Sequence, residues 1–220
     1  NPNGTLKWSS NLGGAVTGSP AISGGGNLYV GSGSGSVYAF ARDKTPPTTP
    51  VVTDDGAFST STTTLHAAWF SEDPETGVSE YRYAVGTTPG GTNLRDWTSA
   101  GTDTEATITG LSIPNGAMVY VAVKACNGAH VWSEVGVSDG IRIDATPPIG
   151  GVLADDGPYT SSTTTLSASW SFTDAESGVV GYSYAIGTAP GAADVVGWTD
   201  AGMATSVTRS QLSLANAATG

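Results

Sequence analysis

Shifted against itself by 101 residues, this sequence repeats without a gap. Thr45-Pro46-Pro47 returns as Thr146-Pro147-Pro148, Asp54-Asp55-Gly56 as Asp155-Asp156-Gly157, and Thr62-Thr63-Thr64-Leu65 as Thr163-Thr164-Thr165-Leu166. Trp69, Tyr81, Tyr83 and Trp97 meet Trp170, Tyr182, Tyr184 and Trp198, and 35 of the 75 aligned positions between 45 and 119 are identical. A duplicated unit of about 100 residues has to close its own core, and that is the size of a single β-sandwich.

The periods inside the unit agree. Leu65, Ala67 and Trp69 alternate with Thr64, His66 and Ala68; Tyr81, Tyr83 and Val85 alternate with Glu80, Arg82 and Ala84; Val119, Val121, Val123 and Ala125 mark a third strand. Turn sequences separate them, namely Asp54-Asp55-Gly56, Asp73-Pro74-Glu75-Thr76-Gly77, Pro89-Gly90-Gly91 and Asn115-Gly116. No stretch keeps a helical period, and no run approaches the ~18 apolar residues of a membrane helix. Helical bundles, βαβ enzymes and coiled coils are thereby excluded. The expected fold class is all-β, with short strands at roughly 8–12-residue spacing in a Greek-key sandwich.

The residues Leu65-x-Ala67-x-Trp69, the Tyr81/Tyr83 strand, Thr109-Gly110-Leu111 and Val123-Lys124-Ala125-x-Asn127-Gly128 resemble a fibronectin type III domain. The resemblance implies tandem fibronectin type III/immunoglobulin-like sandwiches at 45–144 and 145–220, with Trp69 in the core. The family's usual tyrosine, four residues before the Val of V-x-A, is replaced by Val119, and Tyr120 beside it faces the other way. The second copy reaches Gly220 opposite Val119, so it is expected to be truncated before its last two strands, leaving a bare sheet edge.

Residues 1–44 stand outside the repeat. Gly4-Thr5-Leu6-Lys7-Trp8, Gly18-Ser19-Pro20-Ala21-Ile22, Gly26-Asn27-Leu28-Tyr29-Val30-Gly31-Ser32 and Gly35-Ser36-Val37-Tyr38-Ala39-Phe40 are short β segments between Gly-rich turns. They resemble one blade, over 1–41, of the pyrroloquinoline-quinone-like (PQQ-like) β-propeller repeat, and imply the last blade of a propeller. Blades of this kind mostly serve as scaffold, so no quinone and no other cofactor is expected. Thr45–Pro50 reads as a linker that favours extended backbone.

Chemistry is thinly written. With 19 acids against 8 bases and a formal charge of −11, the chain lacks the basic face a nucleic-acid partner needs. Cys126 is the only cysteine, which excludes an intrachain disulfide and reads as a buried strand thiol. His66 and His130 are the only histidines and make no triad or metal set. The Gly31–Gly35 run lacks the Lys and the following helix of a phosphate loop. The acidic turns Asp73-x-Glu75-x-Gly77 and Asp174-x-Glu176-x-Gly178 offer alternate carboxylates that suit Ca²⁺, and Asp144 could complete a site with Asp73 and Glu75 if the loops converge. Trp132, with His130 in the same loop, is the candidate contact for a protein or carbohydrate partner.

The function expected from these observations is non-catalytic. The chain reads as a modular extracellular or cell-surface segment for spacing, adhesion or interaction, with flanking domains on the same polypeptide and no membrane insertion of its own. The alternative is a set of accessory modules of a secreted hydrolase whose catalytic domain lies elsewhere.

Overall fold

The structure is a computed structural model and describes residues 9–215; the Gly4–Trp8 segment lies outside the described residues. The first strands are β1 (Ala21–Ile22), β2 (Leu28–Gly31) and β3 (Val37–Phe40), which form an antiparallel meander in the order β1-β2-β3. Gly26 and Gly35 turn it with φ of 84° and 83°, a region that glycine enters without strain. Only Val30 of this sheet is buried, while Ile22 and Val37 are exposed.

The first repeat unit carries β4 (Val51–Asp54), β5 (Phe58–Ser59), β6 (Leu65–Phe70), β7 (Val78–Gly86), β8 (Arg95–Gly101), β9 (Glu105–Ile108), β10 (Met118–Asn127), β11 (Gly136–Val137) and β12 (Ile141–Ile143). One sheet has the order β4-β6-β9. The facing sheet runs β5-β12-β10-β7-β8, with β11 on β10. Its central pair, β7 and β10, is antiparallel from Tyr120↔Gly86 to Asn127↔Val78. Leu65, Ala67 and Trp69 of β6 pack against Tyr81 and Val85 of β7, Val119, Val121, Val123 and Ala125 of β10, and Ile141 and Ile143 of β12. The two-residue period therefore sorts these side chains into one core. Ala84 and Ala122, on the opposite phase, are buried as well.

Two polar ties fix this core. The buried Tyr81 hydroxyl donates to Ser71 O at 3.2 Å, and Trp69 Nε1 donates to Asp103 O at 3.0 Å. Cys126 is buried, and burial raises its thiol above the ordinary range.

The second unit contains β13 (Ile149–Asp155), β14 (Leu166–Thr173), β15 (Tyr182–Ile186), β16 (Val196–Gly202) and β17 (Ser206–Arg209). Its sheets are β13-β14-β17 and β15-β16, which match β4-β6-β9 and β7-β8 of the first unit. Trp170 stacks on Tyr184 much as Trp69 meets Tyr83, at centroid distances of 6.1 and 5.9 Å. Trp170 and Leu212 are buried, but Leu153, Val180 and Trp198 are exposed. Among the described residues nothing stands where β10 and β12 stand in the first unit.

Candidate functional site

The two junctions, where the chain enters each sandwich, hold the densest polar chemistry. At the first, Asp43 precedes Thr45-Pro46-Pro47. Its Oδ1 accepts the Thr45 N–H at 2.9 Å and the Thr45 hydroxyl at 2.8 Å, and its Oδ2 accepts the Thr76 hydroxyl at 2.6 Å. Thr76 belongs to the turn between β6 and β7. There Asp73 Oδ1 accepts the N–H groups of Thr76 and Gly77 at 2.8 and 3.1 Å, with Gly77 at φ 70°.

Asn127, at the end of β10 and wholly buried, joins the two. Its Nδ2 donates to Asp43 Oδ2 at 2.7 Å, Thr45 O at 2.8 Å and Asp73 Oδ2 at 3.0 Å. Its Oδ1 accepts from Ala129 N and Val131 N at 3.0 and 2.9 Å, which fixes the amide orientation.

The second junction repeats the pattern 101 residues on. Asp144 Oδ1 accepts the N–H and hydroxyl of Thr146 at 3.1 and 3.3 Å, and Oδ2 accepts the Ser177 hydroxyl at 2.5 Å. Asp174 Oδ1 accepts the N–H groups of Glu176, Ser177 and Gly178 at 3.1, 2.9 and 3.1 Å. Hydrogen bonds of this kind favour the charged form at Asp43, Asp73 and Asp144. The Thr76 hydroxyl, with Thr45, holds Asp43 below the usual carboxylate range. The Thr76 N–H does the same for Asp73, helped by Asn127 and opposed by the charge of Asp43. The Ser177 hydroxyl lowers Asp144.

Carboxylate oxygens therefore gather in two trios, Asp43 with Asp73 and Glu75, and Asp144 with Asp174 and Glu176, within 4.8 Å inside each trio. This regroups the expected set. Asp73 and Glu75 lie together, but Asp144 belongs to the next junction and Asp43 takes its place. The reason is the repeat itself, since each aspartate folds onto the turn of the module that it precedes. Extending the 101-residue offset two positions upstream pairs Asp43 with Asp144, a signal present in the sequence. Asn127 stands inside the V-x-A-x-N run, but nothing in that run says which carboxylates it will meet.

Trp132 and His130 occupy the loop after β10. His130 is exposed at φ 65°, with its N–H donating to Asn127 O at 3.0 Å. Trp132 is half-buried and bridges back to Cys126. Arg82 and Lys124 each lie 5.0 Å from its ring centroid, and Lys124 also lies 4.3 Å from Trp97. Cations of its own sheet thus occupy Trp132, in a stack that crosses β10, β7 and β8. Trp97 lies in that stack on the edge strand β8, whereas its counterpart Trp198 is exposed. His66 faces Asp55 through Nδ1 at 3.0 Å and Glu105 through Nε2 at 3.8 Å.

The two-sheet order defines the class, an all-β chain whose two repeat units set a three-stranded sheet of the same order beside a second antiparallel sheet. No family model matches the sequence, and no curated protein matches it. Among solved structures it is similar to the crystal structure of chicken CNTN1 FN1-FN3 domains, at 16% identity and a TM-score of 0.36. That likeness covers 86% of this chain and 64% of the other. The superposition is loose, and the class rests on the strand order. No helix among the described residues is long and apolar enough to cross a membrane.

Proposed function

We propose that this chain is a non-catalytic modular segment of an extracellular or cell-surface protein that holds its neighbours at set spacing and offers surfaces for protein or carbohydrate contact. The observation that carries the reading is the aspartate anchor made twice, Asp43 to Thr45 and Thr76, and Asp144 to Thr146 and Ser177. Each anchor fastens the linker to the turn of the module it enters. Only residues 144–148 separate β12 from β13, and two of them are proline. Such a linker keeps modules apart rather than letting them swing. The acidic surface, net −11, agrees with an extracellular setting. The meander at 21–40, with Ile22 and Val37 uncovered, supports a propeller blade awaiting a neighbour.

Small-angle scattering tests the spacing role. The chain should scatter as an elongated particle of fixed length, and Asp144→Ala should broaden the distribution of maximum dimensions. A compact particle, or an Asp144→Ala profile identical to the parent, would refute the spacer.

A second reading is favoured by the recurrence of both trios: a divalent cation, Ca²⁺ by its oxygen ligands, held by Asp43, Asp73 and Glu75 and by Asp144, Asp174 and Glu176. At the first junction the Asn127 amide already bridges Asp43 and Asp73, so a cation would have to displace it. Thermal melting in millimolar Ca²⁺ against chelator decides the matter, and equal melting temperatures would dismiss the cation.

A further inference from the structure

One set of contacts at the second junction comes from outside the module it serves. Asn115 sits in the turn between β9 and β10 of the first sandwich. Its Nδ2 donates to Glu176 Oε1 at 3.2 Å and to Thr146 Oγ1 at 3.3 Å, while its Oδ1 accepts the Ala145 N–H at 2.6 Å. One side chain of the first module thus grips both the linker and the acidic turn of the second. The following residue, Gly116, is at φ 76°, and its own N–H donates to Ile143 O at 2.8 Å, so the turn is pinned to the end of β12. A Cβ on Gly116 would meet Glu176 Oε1 at 3.6 Å, which measures how closely the turn lies against that carboxylate. The other Glu176 oxygen, Oε2, lies 3.5 Å from Thr146 Oγ1, whose single hydroxyl hydrogen it shares with the nearer Asp144.

We propose that the Asn115-Gly116 turn is a docking site for the acidic turn of the following module, and that this latch sets the rotation of one sandwich on the next. The two halves belong to the repeat. Glu75 occupies the place of Glu176 in the first unit, and Asn216, outside the described residues, occupies the place of Asn115 in the second. The amide and the carboxylate thus recur at the 101-residue offset, whereas Gly116 of the turn is replaced by Ala217. The linker anchor at Asp144 fixes distance. The Asn115 amide, off the linker path, fixes rotation. This latch presupposes the tandem-spacer reading, yet the two fail separately: scattering reads length, whereas residual dipolar couplings read orientation.

The test is the alignment of the two sandwiches in the whole 220-residue chain, measured in chelator. In the parent chain both modules should share one alignment tensor. Asn115→Ala removes the grip, so the undocked fraction should rise about fivefold or more, the effect of losing roughly one net hydrogen bond, and the two tensors should separate. Asn115→Asp turns the donor into a carboxylate facing Glu176 and should separate them further. Glu176→Gln can still accept from Asn115 and should leave the shared tensor intact. Equal tensors in both Asn115 variants would overturn the latch. So would undocking by Glu176→Gln as large as that by Asn115→Asp, because docking would then depend on the charge of Glu176 and not on the amide.

Discussion

Replacing Asn127 with Ala is expected to be the most costly single polar substitution in the first sandwich. The side chain is wholly buried, donates to Asp43, Thr45 and Asp73, and accepts from Ala129 and Val131. Its two amide hydrogens are shared among three acceptors, two of them charged. A hydrogen bond to a charged group contributes about 1.5–3 kcal/mol, and a neutral one about 1 kcal/mol. Counting one charged and one neutral donation with two neutral acceptances, the sum is about 4.5–6 kcal/mol on that scale. Water can reach the half-exposed Asp43 and recover part of it, which leaves an expected loss of about 3–4 kcal/mol. Against a domain stability of roughly 5–15 kcal/mol this is a large fraction. Urea denaturation followed by tryptophan fluorescence measures it, and the midpoint should fall with little change in slope, since the same surface is exposed on unfolding. Asn127→Asp keeps the shape but brings a third carboxylate beside Asp43 and Asp73, and should cost at least as much at pH 7. A loss below about 1 kcal/mol for Asn127→Ala would show that the network is satisfied by water and that the amide is incidental.

Other outcomes follow from the same contacts. Asp43, Asp73, Asp144 and Asp194 are held below their unfolded value of 3.8, by Thr76, the Thr76 N–H, Ser177 and Thr188 respectively. The native state therefore resists protonation more than the unfolded chain does. Their stabilisation should be complete above that value and be lost as pH falls through the lower native values; an acid titration by circular dichroism with no loss below pH 3.8 would contradict it. Gln211 adopts φ 63° where the first repeat has Gly110 at φ 70°, so Gln211→Gly should raise stability by about 1 kcal/mol, read as a higher urea midpoint. Asn115-Gly116 is a sequence prone to deamidation, in which Gly116 N attacks the Asn115 amide carbon and ammonia leaves. Because that N–H is committed to Ile143 O, mass spectrometry should find the reaction slow in the native chain and fast in urea.

How much of this was legible in the sequence depended on distance along the chain. Strand phase is local, and the alternation of Leu65, Ala67 and Trp69, or of Val119, Val121 and Val123, named the core before any fold was in view. The acidic turns were legible too, because Asp73 and Glu75 lie within one turn of chain. Their partner was not. Asp43 lies 30 residues before Asp73, and Asn127 lies 54 after it, and only the pairing of β7 with β10 brings them together. Arg82 and Lys124 reach Trp132 across the sheet, a contact fixed by register and invisible to spacing.

The two junctions share an anchor but are held from different sides. In the first unit Asp43 is gripped by Asn127 of β10 in addition to Thr45 and Thr76. Pro47 and Pro50 of the linker are buried, and Gly136 of β11 lies so close that a Cβ there would fall 1.9 Å from Pro50 O. The linker is thus sealed beneath the loops that β10 and β11 carry. In the second unit Asp144 holds Thr146 and Ser177, and Pro147 and Pro148 are exposed. Here the Asn115 amide of the preceding module supplies side-chain contacts from outside. A sandwich of this repeat can therefore fix the chain that enters it in two ways, from within through the amide at the end of β10 or from behind through the neighbour's turn. Asn115 stands just before β10 and Asn127 at its end, so this one strand places the amide that each of the two junctions uses.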